Sequence, residues 1–186
     1  AASFIVLAGC GSRELTGVSG KLISKDGSIQ ATIVRDFDES LYSVDKLKAM
    51  MDDEIASYNF ASAGDNISAG EVACTEGVLT CVINYLSDED YSEFNSRYLV
   101  IEGFDEAMAA DLVKISLKSV DDLSYIDIKS IDKKDNLYVL ITDEPGVVTC
   151  PGQILYISDG VNAVTKKQAD VTDDMDGLAY IIYENK

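Results

Sequence analysis

Residues 71–86 read EVACT-EG-VLTCVINYL, two runs rich in Val, Thr, Cys and Ile joined by Glu76-Gly77. Apolar and polar residues alternate on both sides of a two-residue turn containing glycine, the pattern of an antiparallel hairpin. With that loop, residue 74 faces 79 and residue 72 faces 81, so Cys74 and Cys81 share a face but lie diagonally. A four-residue loop would place the two cysteines opposite each other. Upstream, Lys21–Ser24 and Ile29–Val34 bracket Lys25-Asp26-Gly27-Ser28, a second hairpin with turn residues at its tip.

Between the hairpins the period changes. Val44, Leu47, Met51, Ile55 and Tyr58 recur at helical spacing and predict an amphipathic helix over 44–58. Ser43 is placed as its N-cap, and Lys48 with Asp52 would form an i,i+4 pair on the wet face. The stretch Asn59–Gly70, rich in Ala, Ser, Gly and Asn, reads as a loop. Ser87-Asp88-Glu89-Asp90 resembles a capped helix start, carrying Tyr91 and Phe94 inward.

Further strands are expected at Arg97–Ile101, Tyr125–Ile131, Leu137–Thr142, Val147–Thr149, Ile154–Ser158 and Leu178–Tyr183. Phe104–Val113 reads as a short helix, and Asp132–Asn136 as a polar loop. Cys150-Pro151-Gly152-Gln153 predicts a type II turn, with Gly152 supplying positive φ. The sum is α+β: about eight strands in an antiparallel sheet built from hairpins, one main helix at 44–58, and one or two short helices.

Composition narrows the chemistry. The chain has 186 residues, 47% of them apolar, enough for a core and against wholesale disorder. It has no histidine, which removes Ser-His-Asp and Cys-His catalysis and most catalytic zinc and haem sites. A net charge of −18 disfavours nucleic acid and anionic membrane surfaces as partners, because phosphate binding needs clustered Lys and Arg.

Ala1–Gly9 reads AASFIVLAG, an uncharged apolar run followed by Cys10. It is shorter than the roughly 20 residues of a membrane span and resembles the end of a secretory signal peptide. With no initiating Met or basic leader, the sequence is expected to begin inside a precursor. Leu7-Ala8-Gly9-Cys10 resembles the bacterial lipobox at all four positions. That resemblance implies diacylglycerol on the Cys10 thiol and cleavage before it; the structural counter-reading is a buried strand with a core cysteine. The expected organisation is a signal remnant at 1–9, a lipidated flexible tether at 10–20, and one α+β domain at 21–186.

The remaining cysteines, Cys74, Cys81 and Cys150, read as small core residues, with a 74–81 disulfide and then reactive or metal-binding roles as the alternatives. Unpaired thiols in an exported chain would suit an oxygen-poor habitat. The densest acidic cluster is Asp170, Asp173, Asp174 and Asp176, a solvated surface or else a Ca²⁺ site. It does not match the EF-hand pattern. Asp36-Asp38-Glu39, Asp88-Glu89-Asp90 and Asp121-Asp122 read as solvated surface.

Two carboxylates could in principle perform glycoside hydrolysis, but 33 acidic residues guarantee chance pairs. The strand tyrosines Tyr85, Tyr98, Tyr125, Tyr138, Tyr156, Tyr180 and Tyr183 read as half-buried sheet residues, or as a binding face if they form an exposed stripe.

Taken with Ile55-Ala56-Ser57-Tyr58-Asn59, Asp90-Tyr91-Ser92-Glu93-Phe94-Asn95 and Gln153-Ile154-Leu155-Tyr156-Ile157-Ser158, the lipobox makes the chain similar to small uncharacterised surface lipoproteins of anaerobic Gram-positive, clostridial-type bacteria. The resemblance implies an extracytoplasmic protein held to the outer face of the cell membrane by lipid on Cys10. It carries no catalytic residue or cofactor. The expectation is a non-catalytic binding module for a protein or glycan, with a Ca²⁺-stabilised adhesion-like module and a carboxylate hydrolase as alternatives. A binding module requires an exposed apolar or tyrosine-rich patch; a hydrolase requires a cleft with two carboxylates, one with a raised pKa.

Overall fold

The computed structural model describes residues 17–131 and 136–185. The fold is α+β. In chain order the elements are β1 (Gly20–Ile23), β2 (Ile29–Asp36), α1 (Val44–Ser62), β3 (Ile67–Thr75), β4 (Val78–Tyr85), α2 (Asp88–Asn95), β5 (Leu99–Gly103) and α3 (Phe104–Ala109). There follow β6 (Leu117–Ser119), β7 (Tyr125–Ile126), a 3₁₀ turn (Ile128–Ser130), β8 (Leu137–Thr142), β9 (Gly146–Thr149), β10 (Ile154–Ile157), β11 (Val161–Ala163), β12 (Gln168–Val171) and β13 (Ala179–Glu184).

The strands form two sheets, ordered β11-β12-β9-β1-β2-β4-β3 and β5-β8-β13-β10-β6-β7. Pairing is antiparallel except between β1 and β9, where Lys21 lies beside Val148 in parallel register. The hairpin at 71–86 has the two-residue turn and its register, Cys74 opposite Leu79 and Val72 opposite Cys81. Glu76 and Gly77 take φ of 51° and 77°, the doubly left-handed pair that matches strand twist.

A shared core lies between the sheets. Ile23, Ile29, Val148 and Val171 from one meet Leu140, Ile154, Ile181 and Tyr183 from the other. The far face of the six-stranded sheet is covered as well: Leu137, Val139, Ile141, Tyr180 and Ile182 pack with Phe104, Ala107 and Val113 around α3. β8 and β13 are thus buried on both faces, which is why they read as continuous apolar runs. Each such fully buried side chain contributes about 1.5–3 kcal/mol of transfer free energy.

Helix α1 covers the outer strands of the larger sheet, packing on β3. Ile55 is buried, and Val44, Leu47, Met51 and Tyr58 are half-buried, so the expected stripe is the packed face. Ser43 Oγ accepts the Lys46 N–H at 3.4 Å as the N-cap. Lys48 and Asp52 both face solvent, with no close ion pair between them.

Several expectations need correction. The stretch 59–70 is not a loop: α1 runs on to Ser62 and β3 begins at Ile67. The Asn59 amide, instead of ending the helix, clips it to the sheet, donating to Ile67 O at 2.8 Å and accepting from Ile67 N at 3.0 Å. The chain reverses at Ala63 in the left-handed region, φ 56°. Arg97 and Tyr98 precede β5, because Ser96 ends α2 with φ 51° and Ser92 Oγ bonds both N and O of Leu99.

The helix at 104–113 stops at Ala109, and the strand at 125–131 is two residues followed by a 3₁₀ turn that Asp127 caps. Residues 132–135 of the expected polar loop lie outside the described residues. The tether expected over 10–20 meets the sheet at its end, since Gly20 starts β1 and Ser19 Oγ donates to Val34 O at 3.1 Å. There are thirteen strands among the described residues rather than about eight.

The turn at 150–153 is not type II, because the φ of Gly152 is not positive. It carries the chain from β9 in one sheet to β10 in the other. Gly152 is needed for another reason: a Cβ there would lie 1.4 Å from the Glu184 carbonyl oxygen.

Candidate functional site

Where β2 ends, Phe37 N–H donates to Gly77 O at 2.8 Å, tying the start of the β2–α1 connection to the tip of the β3–β4 hairpin. The connection then folds on Asp38. Its carboxylate accepts the Ser40 N–H at 2.9 Å and the Ser40 hydroxyl at 2.6 Å, and its carbonyl accepts from Leu41 and Tyr42 N–H, both at 3.0 Å. The Ser40 hydroxyl bond, then its N–H bond, holds the Asp38 carboxyl below its ordinary range.

This turn presents two apolar side chains to water. Leu41 is 72% exposed and Tyr42 is 64% exposed. The Phe37 and Tyr42 rings lie 5.9 Å apart at 45°. They line an open cleft of about 1020 Å³ together with Asp36, Asp38, Glu39, Glu76 and Val78, and among the described residues no Lys or Arg lines it. An aromatic pair inside a ring of carboxylates attracts a cation carried on an apolar stem, through ring faces and charge-assisted hydrogen bonds.

The sequence reading treats Asp36-Asp38-Glu39 as ordinary solvated surface and does not single out Phe37, Leu41 or Tyr42. Two signals point to them. Phe37 interrupts an acidic run, and Leu41-Tyr42 precede the Ser43 cap and so fall outside the apolar stripe of α1.

The tyrosine stripe does not form. Tyr85, Tyr180 and Tyr183 are buried, Tyr138 and Tyr156 are half-buried, and of the two exposed ones Tyr98 precedes β5 while Tyr125 is in β7. Asp170 sits in β12, while Asp173, Asp174 and Asp176 are exposed in the turn after it. Among the described residues, no three Asp, Glu or Cys side chains group as metal ligands. Cys10, with the rest of the lipobox, lies outside the described residues.

Cys74, Cys81 and Cys150 are free thiols. Burial raises the pKa of all three, and the Glu39 charge adds to the effect at Cys74. Suppressed thiolates make poor nucleophiles. The carboxylates whose ionisation is displaced, Asp26, Asp38, Asp122, Asp159 and Glu144, are all shifted down. A general acid would need the opposite shift.

A buried polar network that the sequence reading does not single out joins Lys21, Glu144 and Tyr91. Lys21 pairs with Glu144 at 2.9 Å, Glu144 also accepts the Tyr91 hydroxyl at 2.5 Å, and the ammonium lies 5.6 Å from the Tyr91 ring centre. It closes the crossing between the sheets and faces no cleft lining given above.

No family model, curated protein or solved structure matches the chain. Among the described residues, no helix is long and apolar enough to cross a membrane.

Proposed function

We propose that this protein is a non-catalytic binding module, tethered outside the cell by lipid on Cys10, that receives a basic protein segment in the Phe37–Tyr42 cleft. The observation that carries the reading is the Phe37–Tyr42 ring pair lining a cleft with Asp36, Asp38, Glu39 and Glu76, with Leu41 exposed beside it on the turn that Asp38 bonds. Exposed aromatic residues on a fixed backbone lose little entropy on binding, which suits an anchor. A Lys or Arg side chain places its methylenes on the rings and its charge among Asp36, Asp38 and Glu76.

Anchoring rests on the resemblance of Leu7-Ala8-Gly9-Cys10 to a lipobox and on the likeness to small clostridial-type surface lipoproteins. Two acyl chains hold a protein stably to a bilayer. The Cys10 proposal is tested by the mass of the protein from its native membrane, where the diacylglycerol adduct is expected and an unmodified Cys10 rejects it.

Binding is tested by titrating ¹⁵N-labelled protein with a peptide of alternating Lys and Leu. The reading expects saturable amide shifts at residues 36–42 and 75–78, abolished in the Leu41→Ser/Tyr42→Ser double variant. Absence of saturable shifts there rejects it.

A further inference from the structure

At the other end of β2 from the aromatic cleft, the β1–β2 hairpin tip and the start of α2 line a half-open cavity of about 270 Å³. Its walls include Lys25, Asp88, Ile101, Tyr138, Tyr183 and Asn185. Tyr183 is 1% exposed and stacks on Tyr138, ring centres 6.0 Å apart at 24°. Its hydroxyl has no hydrogen-bond partner among the described residues. Yet no polar side-chain atom among them is both sealed from solvent and unpartnered. The Tyr183 hydroxyl therefore opens onto the cavity that its ring lines.

A phenol so placed is not required by the fold, because phenylalanine would keep the ring packing without an unbonded hydroxyl in the core. Other groups around the cavity are also half-used. Asp88 Oδ2 accepts the Ile101 N–H at 2.7 Å, which leaves Oδ1 open. Asn185 Nδ2 donates to Lys25 O at 3.0 Å, which leaves its side-chain carbonyl open.

The free valences alternate in kind. The Lys25 ammonium and the two phenols can donate, the Asp88 and Asn185 oxygens can accept, and Ile101 supplies an apolar wall. An anion would meet the Asp88 carboxylate on a chain of net charge −18. A polyol suits the set, since each hydroxyl both donates and accepts. We propose that this cavity binds a single pyranose ring, with the Tyr183 hydroxyl, Asp88 Oδ1 and the Asn185 carbonyl bonding its hydroxyls and Ile101 meeting its C–H face. This site is independent of the aromatic cleft.

The test is an amide-shift titration of the full chain with glucose, galactose and N-acetylglucosamine, each as free sugar and as methyl glycoside. At least one sugar is expected to give saturable shifts at residues 25–27, 87–88 and 185. Tyr183→Phe is expected to weaken that sugar about tenfold, the scale of one net hydrogen bond, with its melting temperature unchanged or higher. Lys25→Met, on the exposed hairpin tip, is expected to weaken it as well. Binding of the methyl glycoside identifies the terminal unit of a glycan as the source; binding of the free sugar alone identifies free monosaccharide. Failure of all three sugars, or Tyr183→Phe and Lys25→Met variants that bind like wild type, overturns the proposal.

Discussion

Lys21 Nζ and Glu144 Oε2 lie 2.9 Å apart, with the lysine side chain 4% exposed and the glutamate 31% exposed. Lys21 belongs to β1, and Glu144 to the turn where the chain leaves β8 for β9 in the other sheet. The pair closes the one parallel junction among the described strands, and the Tyr91 hydroxyl donates to the same Oε2 that pairs with Lys21.

Removing one partner leaves the other charge stranded. Glu144→Gln is expected to destabilise the protein by about 2–3 kcal/mol, at the low end for buried pairs because the glutamate reaches solvent. Lys21→Met combined with Glu144→Leu should recover much of that loss. Urea unfolding of the two variants checks both statements; a Glu144→Gln protein as stable as wild type contradicts them.

The pair also sets a pH dependence. Burial pushes the Glu144 carboxyl up, but the Lys21 charge and the Tyr91 and Lys21 hydrogen bonds outweigh it, so its pKa in the folded state falls below the ordinary 4.5. A carboxylate with a depressed folded pKa stabilises above its unfolded pKa and loses that contribution as pH falls through the folded value. Wild type should therefore lose stability more steeply than Glu144→Gln below about pH 4.5. Parallel denaturation curves between pH 6 and pH 3 would reject this.

Gly152→Ala is expected to be among the most damaging single changes in the chain. The added carbon would lie 1.4 Å from the Glu184 carbonyl oxygen, a backbone atom of β13 that cannot rotate away. A loss above about 3 kcal/mol, or failure to fold, is expected. A melting temperature within a few degrees of wild type would contradict the close approach.

Ala63→Gly should act in the opposite sense. Ala63 holds φ 56° at the end of α1 while its N–H reaches Phe60 O and Gly64 N–H reaches Asn59 O. Glycine relieves the Cβ crowding of the left-handed region but loosens the unfolded chain, so the net gain should be a few tenths to about 1 kcal/mol. Thermal unfolding reads this as a rise of a few degrees at most; a fall would show the alanine to be unstrained.

What the sequence disclosed was local. Glu76-Gly77 with its flanking alternation sets the register of β3 on β4, and Ser43 and Ser87 mark helix starts that their hydroxyls cap. What it withheld depends on distant partners. Gly20–Leu22 pair with 147–149 across more than a hundred residues, and nothing in either segment encodes that match. β6, β11 and β12 are three or four residues long, too short for a period to show. Asn59 reads as a helix breaker because its bonds to Ile67 exist only once the sheet is present. The aromatic cleft stayed hidden because Phe37 and Tyr42 meet only when the Asp38 turn and the Gly77 contact have formed.

The measurement that most directly tests the binding account is fluorescence anisotropy with two labelled peptides, identical except that every lysine in one is glutamate in the other. The account predicts saturable binding of the lysine peptide, weakened by salt as screening shortens the reach of the carboxylates, and at least tenfold weaker binding of the glutamate peptide. Equal affinity for the two peptides, or lysine-peptide binding that the Leu41→Ser/Tyr42→Ser variant retains in full, would contradict it.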